Sequence, residues 1–176
     1  MNKIIKETDI HIGDIVQLKS AEVARVYNAE IPYMVVLEVV KEKIEGSTRF
    51  KYHCVWFIRR KVWEFKYAWL TSVTLDRVPK KNEEITSPKF EIGSIVLLSS
   101  IDNEEDADTK IQTEFCPPTL IITGFENAKN QAPIFDSNSN VIREVSNLSA
   151  KCLYFNPISN KYSEIILPLD VLVSFQ

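Results

Sequence analysis

Apolar residues recur at every second position in several short stretches of the chain, the spacing of strands with one buried face. Val16 and Leu18 alternate with Gln17 and Lys19. Phe50, Tyr52, Cys54 and Trp56 alternate with Lys51, His53, Val55 and Phe57, and Trp63, Phe65 and Tyr67 alternate with Glu64 and Lys66. β-Branched and aromatic residues dominate these stretches, and such side chains suit a pleated, partly buried surface. Lys41 to Arg49 predicts an extended hairpin turning at Glu45-Gly46-Ser47. No stretch carries the 3.6-residue periodicity of a long amphipathic helix.

The same succession is written twice. Ile12-Gly13-Asp14-Ile15-Val16-Gln17-Leu18-Lys19-Ser20 recurs as Ile92-Gly93-Ser94-Ile95-Val96-Leu97-Leu98-Ser99-Ser100, 80 positions later. Pro32-Tyr33-Met34-Val35-Val36 has a counterpart in Pro118-Thr119-Leu120-Ile121-Ile122, offset by 86, and Cys54-Val55-Trp56-Phe57 in Cys152-Leu153-Tyr154-Phe155, offset by 98. Offsets that grow in chain order put the added residues in connections, so the matches read as a duplication. It divides the chain into a first unit at 1–78, a polar linker at 79–88 with prolines near its ends, and a second, more divergent unit at 89–176. In the second unit the connection from Glu126 to Ser149 is longer, rich in Asn and Ser, and predicted to be a mobile loop. Four or five short strands in ~75 residues leave open edges unless they close on themselves, and a barrel that small is marginal alone. The expected fold is therefore all-β: two tandem SH3-like barrels packed against each other. Leu97, standing where the first unit has Gln17, marks the expected contact between them.

The repeated residues also carry a likeness. Gly13-Asp14-x-Val16-x-Leu18-Lys19-Ser20, then Pro32-x-Met34-x-Val36, then Cys54-x-Trp56-Phe57 resemble the YodC-like family of small uncharacterised bacterial proteins. Phe65 and Leu70 stand where that family's pattern closes with an aromatic and a leucine. The likeness covers most of residues 10–78 and decays in the second unit, where Ser94, Ser99, Leu120 and Tyr154 replace its aspartate, lysine, methionine and tryptophan. The resemblance implies an SH3-like barrel and no particular activity. A fused pair with long loops departs from the single short barrels usual in that family.

Composition adds bounds rather than an identity. Of 176 residues, 45% are hydrophobic and 26% charged, the balance of an ordinary folded domain rather than of a disordered chain. The net charge of −3 is divided: residues 1–86 hold 15 Lys and Arg against 12 Asp and Glu, and residues 87–176 hold 6 against 12. An asymmetry of this size orients a partner without naming one. Cys54, Cys116 and Cys152 are odd in number and lack C-x-x-C spacing, so neither a disulfide framework nor a zinc site is predicted. Met1 to Glu7 has no apolar stretch of signal-peptide length, and the apolar run from Ile31 to Val40 is half a membrane span, broken by Pro32 and Glu38. A cytoplasmic protein with reduced thiols is expected.

Candidate chemistry is sparse. His53 adjoins Cys54, but neighbouring strand residues point to opposite faces, so Cys54 reads as a buried structural thiol rather than an activated nucleophile. Neither His11 nor His53 recurs in the second unit. The run Asp102-Asn103-Glu104-Glu105-Asp106-Ala107-Asp108 lacks the turn glycine and distal glutamate of a calcium loop and reads as solvated. Four scattered glycines supply no phosphate cradle, and no hydrolase or metalloprotease motif occurs. No catalytic role, cofactor or metal is predicted.

What remains is a concentration of aromatic and basic residues in the first unit, which holds all three tryptophans. The candidate partner-binding surface is Phe57, Arg59, Arg60, Lys61, Trp63, Lys66, Tyr67 and Trp69. The function expected is non-enzymatic: an adaptor or structural component of a larger bacterial or phage-like protein assembly, with a protein partner and no membrane or small-molecule substrate. The alternative is an RNA- or ribosome-associated protein using the basic and aromatic residues around Arg59-Arg60-Lys61.

Overall fold

The computed structural model describes residues 10–27, 29–44, 46–79, 89–104, 113–127, 134–137 and 141–175. The expected linker falls almost wholly outside these residues, as do positions 105–108 of the acidic run and the opening segment. The first part of the chain runs β1 (Ile15–Leu18), a short helix α1 (Ala21–Val26), β2 (Met34–Ile44), β3 (Ser47–Arg59), β4 (Trp63–Thr71), a 3-10 turn (Ser72–Thr74) and β5 (Leu75–Val78). The second runs β6 (Ile95–Leu98), α2 (Ile101–Glu104), β7 (Leu120–Asn127), β8 (Ile134–Phe135), β9 (Val141–Val145), β10 (Leu148–Asn156), β11 (Lys161–Pro168), a 3-10 turn (Leu169–Val171) and β12 (Leu172–Ser174). The structure is all-β in character, and among the described residues no helix is long and apolar enough to cross a membrane.

Every strand pairing is antiparallel. One path orders β4-β3-β2-β1-β5 and the other β11-β10-β7-β6-β12, so strands of like position stand in like order. The openings match bond for bond. Gly13 N donates to Val36 O at 2.8 Å and Gly93 N to Ile122 O at 2.7 Å, while Val36 N and Ile122 N each donate back at 3.0 Å, to Asp14 O and Ser94 O. A carboxylate oxygen of Asp14 accepts from His11 N, and the Ser94 hydroxyl accepts from Glu91 N, both at 2.9 Å. Serine thus fills the aspartate's local capping role at the second opening.

The expected closure into two barrels is not found. The sheets are open, and among the described residues their end strands, β4 with β5 and β11 with β12, do not pair. Two physical causes stand out. First, β2 and β3 are 11 and 13 residues long, so their hairpin runs well past what a small barrel needs; it turns at Gly46, whose φ of +80° favours glycine. Second, the exposed edge of β2 beyond β1 is occupied by β9, in the register Glu38↔Val145 and Val40↔Arg143. The connection predicted as a mobile loop therefore contains two strands, β8 and β9, and makes the first sheet seven-stranded. Capping an edge with a strand removes the same liability that closure would. Arg143 pairs with the buried carboxylate of Glu38, and Glu144 accepts from Ile12 N at 3.2 Å and approaches His11 Nδ1 at 3.1 Å. These contacts hold β9 in place and supply the partner a buried charge needs.

Over its central strands the first sheet is apolar and buried on both faces. Val16, Met34, Val36, Tyr52, Cys54 and Leu75 fill one core. On the opposite face Val35, Val55, Phe57 and Phe65 join a second core with Val96, Leu98, Leu120, Ile122, Cys152, Tyr154 and Leu167 from the other sheet. Phe57 and Phe65 meet at 4.8 Å, and each presents an edge-to-face contact to Tyr154, at 6.2 and 5.6 Å. Burying Phe57 contributes about 1.5–3 kcal/mol, and favourable ring geometry adds about 1 kcal/mol per pair. Gln17, expected on an outward face, is buried: its amide donates to Ile31 O at 3.3 Å and accepts from Arg25 at 3.1 Å.

The seam between the sheets distinguishes two otherwise corresponding glycines. Gly13 and Gly93 hold φ of +81° and +94°, so a side chain at either is strained. A Cβ at Gly13 would also run into the backbone carbonyl of Asp170 in the second half, whereas one at Gly93 meets open space. Gly93→Ala is expected to lose about 1–2 kcal/mol in urea denaturation, and Gly13→Ala about 3 kcal/mol or more. Equal losses would mean that Gly13 is not held against the second half.

Candidate functional site

The β3–β4 hairpin sets four pairs on one face: Arg59↔Trp63, Phe57↔Phe65, Val55↔Tyr67 and His53↔Trp69. The second sheet covers the middle of this row and leaves its ends distinct. Phe57 is 1% exposed, so it belongs to the core and not to a partner-binding surface. This corrects the sequence reading, and the reason is strand parity: the face opposite Cys54 is itself interior.

At the turn end of the row both arginines are engaged. The Arg59 guanidinium lies 4.6 Å above the Trp63 ring, and Arg59 N donates to Glu114 O at 2.7 Å. Arg60 pairs with the Glu114 carboxylate, and Asn156 donates to the Trp63 carbonyl at 2.9 Å. Arg59, Arg60 and Trp63 therefore fasten the hairpin to the second half. Lys61 is exposed at the turn. Lys66 pairs with Glu64 on the other face of β4, away from Tyr67 and Trp69.

The far end is open. Tyr67 and Trp69 are 46% and 49% exposed. His53 stacks on Trp69, ring centres 4.8 Å apart and planes 11° from parallel, and leans on Tyr67 at 5.7 Å. Burial holds the His53 imidazole below its ordinary value, against a weaker upward pull from Glu38, so at neutral pH it is an uncharged ring in an aromatic shelf. Burial, with Tyr154 nearby, raises the Tyr67 hydroxyl, which stays protonated. Of the predicted surface, then, Tyr67 and Trp69 come together, and His53 is the member that sequence reading left out. Its signal was positional, because β3 pairing places residue 53 opposite residue 69. β4 is also the end strand of its sheet, so along its outer edge no described strand pairs with it.

A second feature lies where the first half's loop before β2 meets α2. A cavity of about 320 Å³ is lined by Arg25, Glu30, Ile31, Tyr33, Asn103, Glu104, Thr113 and Phe115. Glu104 is 2% exposed, which contradicts a fully solvated acidic run. One carboxylate oxygen accepts from Tyr33 N and the other from the Thr113 hydroxyl, both at 2.7 Å. Ile101 and Glu104 sit three residues apart on one turn of α2, and both are buried; that spacing was the available clue. The cavity floor is thus a bridge between the two halves.

Thiol chemistry has no support here. All three cysteines are buried and outside any disulfide, and burial pushes Cys54 up to about 12 and Cys152 up to about 11, leaving both as inert thiols. Among the described residues no three His, Cys, Asp or Glu side chains gather to hold a metal. No family model, curated protein or solved structure matches this chain, so the likeness to the YodC-like family rests on the quoted residues alone.

Burial raises the Glu104 carboxyl from 4.5 to about 7, outweighing the two hydrogen bonds that favour its charged form. The folded state therefore binds a proton more tightly than the unfolded chain. The stability this confers is fully present below about pH 4.5 and is lost as the pH rises through about 7. Each pH unit in that window changes stability by up to about 1.4 kcal/mol. Thermal or urea unfolding of the native chain and Glu104→Gln from pH 4.5 to 8 should give a difference curve that falls across the window and levels above it. A flat difference would place Glu104 in contact with water.

Proposed function

We propose that this chain is a non-enzymatic protein-binding module, an adaptor or structural component of a larger assembly, built from two copies of one SH3-like unit. The like strand order, the 3-10 turn before the last strand of each path and the bond-for-bond match at the two openings support the duplication. The YodC-like pattern in residues 10–78 supports the same reading.

The observation that carries the functional reading is the shelf of His53, Tyr67 and Trp69 beside the end strand β4. Exposed aromatic rings held rigid by stacking are a recurrent anchor for protein partners. A strand edge next to them suits an extended segment that adds to the sheet and seats alternate side chains on the rings. The nucleic-acid alternative is weaker, because Arg59, Arg60 and Lys66 are each held by an aromatic or acidic neighbour of their own.

A tagged chain should retain a protein from its native host. Trp69→Ala with Tyr67→Ala should weaken that binding roughly 30-fold, as loss of an anchor of about 2 kcal/mol does. Lys61→Ala should leave it unchanged, and raising salt from about 50 to about 200 mM should weaken it only slightly. A loss of a thousandfold or more over that salt range, or a retained nucleic acid, contradicts the proposal in favour of phosphate contacts.

A further inference from the structure

The cavity where the loop before β2 meets α2 is unevenly charged. Its volume of about 320 Å³ falls at the small end of the range for ligand sites, about 300–1,000 Å³. Two carboxylates line it, Glu30 exposed at the mouth and Glu104 buried at the floor, against the single guanidinium of Arg25. Arg25 is turned to Gln17 and to the Tyr33 hydroxyl, at 3.1 and 2.9 Å. Among the described residues no ion pair engages either carboxylate. Glu30 also lies close enough to Glu104 to disfavour its charged form. With both carboxylates ionised, the lining is short of one positive charge.

Hydrogen bonding is uneven in the same sense. Glu104 accepts one bond at each oxygen, from Tyr33 N and from the Thr113 hydroxyl, whereas an ionised carboxylate has about four acceptor positions. Asn103 lines the cavity as well, and its side-chain oxygen is buried and accepts no bond from the described residues. A buried acceptor left open is uncommon, because it has given up water for nothing. Tyr33, Phe115 and Ile31 complete the lining with ring and aliphatic surface. The site therefore lacks one cation that carries several N–H donors on an apolar stem.

We infer that this cavity binds a primary ammonium group on a short alkyl chain, the chemistry shared by a free alkylamine and a lysine side chain. The three N–H donors of an ammonium suit the open acceptors of Glu104, Asn103 and Glu30, and its single charge balances the lining. The rings of Tyr33 and Phe115 suit both a cation and its stem. A hard divalent metal fits less well, since it takes six or more oxygen ligands, and among the described residues no three His, Cys, Asp or Glu side chains gather. An anion would face two carboxylates. Arg25 and Tyr33 come from the first half and Asn103 and Glu104 from the second, so the occupant bridges the two. The site shares no residue with the His53, Tyr67 and Trp69 shelf and does not rest on that reading.

Amide NMR titration of the native chain at pH 8 with n-butylammonium chloride, against sodium chloride at equal ionic strength, should give saturable shifts in α2 and the loop before β2. The expected dissociation constant is about 1 mM or tighter. Tetramethylammonium, a cation without N–H groups, should bind at least about tenfold more weakly. Glu104→Gln and Glu30→Gln should each weaken butylammonium about tenfold, and Trp69→Ala should leave it unchanged. Glu30 is exposed, so its variant decides the matter even where Glu104→Gln does not fold. Because burial lifts the Glu104 carboxyl to about 7, a proton competes with the cation. Native affinity should therefore be roughly tenfold weaker at pH 6 than at pH 8, a difference that disappears in Glu104→Gln. The capped peptide Gly-Gly-Lys-Gly-Gly separates the two sources: tighter binding than butylammonium assigns the cavity to a lysine side chain, and equal or weaker binding to a free amine. Absence of saturable shifts up to about 50 mM, equal affinity for tetramethylammonium, or unchanged binding in both glutamine variants overturns the inference.

Discussion

The meeting of Phe57 and Phe65 with Tyr154 is the contact from which the rest of this structure follows. A strand buried on one side alternates apolar with polar residues, but β3 is apolar on both sides across Tyr52, Cys54, Val55 and Phe57. Such a strand cannot end a layer. Its second face must find another sheet, and in this chain that sheet lies in the second half. Once it is there, the ancillary contacts have a purpose. Gly13 leaves room for the Asp170 carbonyl, Arg60 reaches Glu114, Asn156 reaches Trp63, and β9 crosses over to cap the edge of β2. The polar contacts are individually worth about 1 kcal/mol or less. The apolar seam stabilises the structure more than they do, and they fix its register.

Much of the local structure was legible in the sequence because it depends on neighbours close along the chain. Period-two alternation located the central strands, and Gly46 sits at the predicted turn between β2 and β3. Burial of all three cysteines also agrees with the reading of Cys54 as a structural thiol. What alternation does not encode is which face of a two-sided strand is internal. Phe57 was therefore placed on a surface, although its face is the seam. Closure was inferred from the cost of open edges, a sound premise with more than one solution. Here the edge of β2 is covered by a strand drawn from a segment whose Asn and Ser content suggested a loop, and only Arg143 and Glu144 hint at the charges that anchor it.

The site shows the same division. Tyr67 and Trp69 were visible as exposed aromatics, but their partner His53 is supplied by cross-strand register, which composition does not reveal. Glu104 lay inside a run that looked uniformly solvated, yet one helical turn with Ile101 carries it inward to join Tyr33 and Thr113 across the halves. The Phe57 and Glu104 surprises share one origin: contacts between the halves, which the duplicated pattern cannot show because the two copies present unlike faces to each other.

The claim that both halves share one core can be tested in a single unfolding experiment. All three tryptophans lie in the first sheet, whereas Cys116 and Cys152 lie in the second half, so fluorescence and thiol reactivity report on opposite sides of the seam. Urea denaturation followed by both probes, with Cys54 replaced by alanine to silence the first half, should give coincident midpoints. Reaction of Cys116 or Cys152 at urea concentrations where the tryptophan signal is still native would show that the halves unfold independently, and would contradict the account.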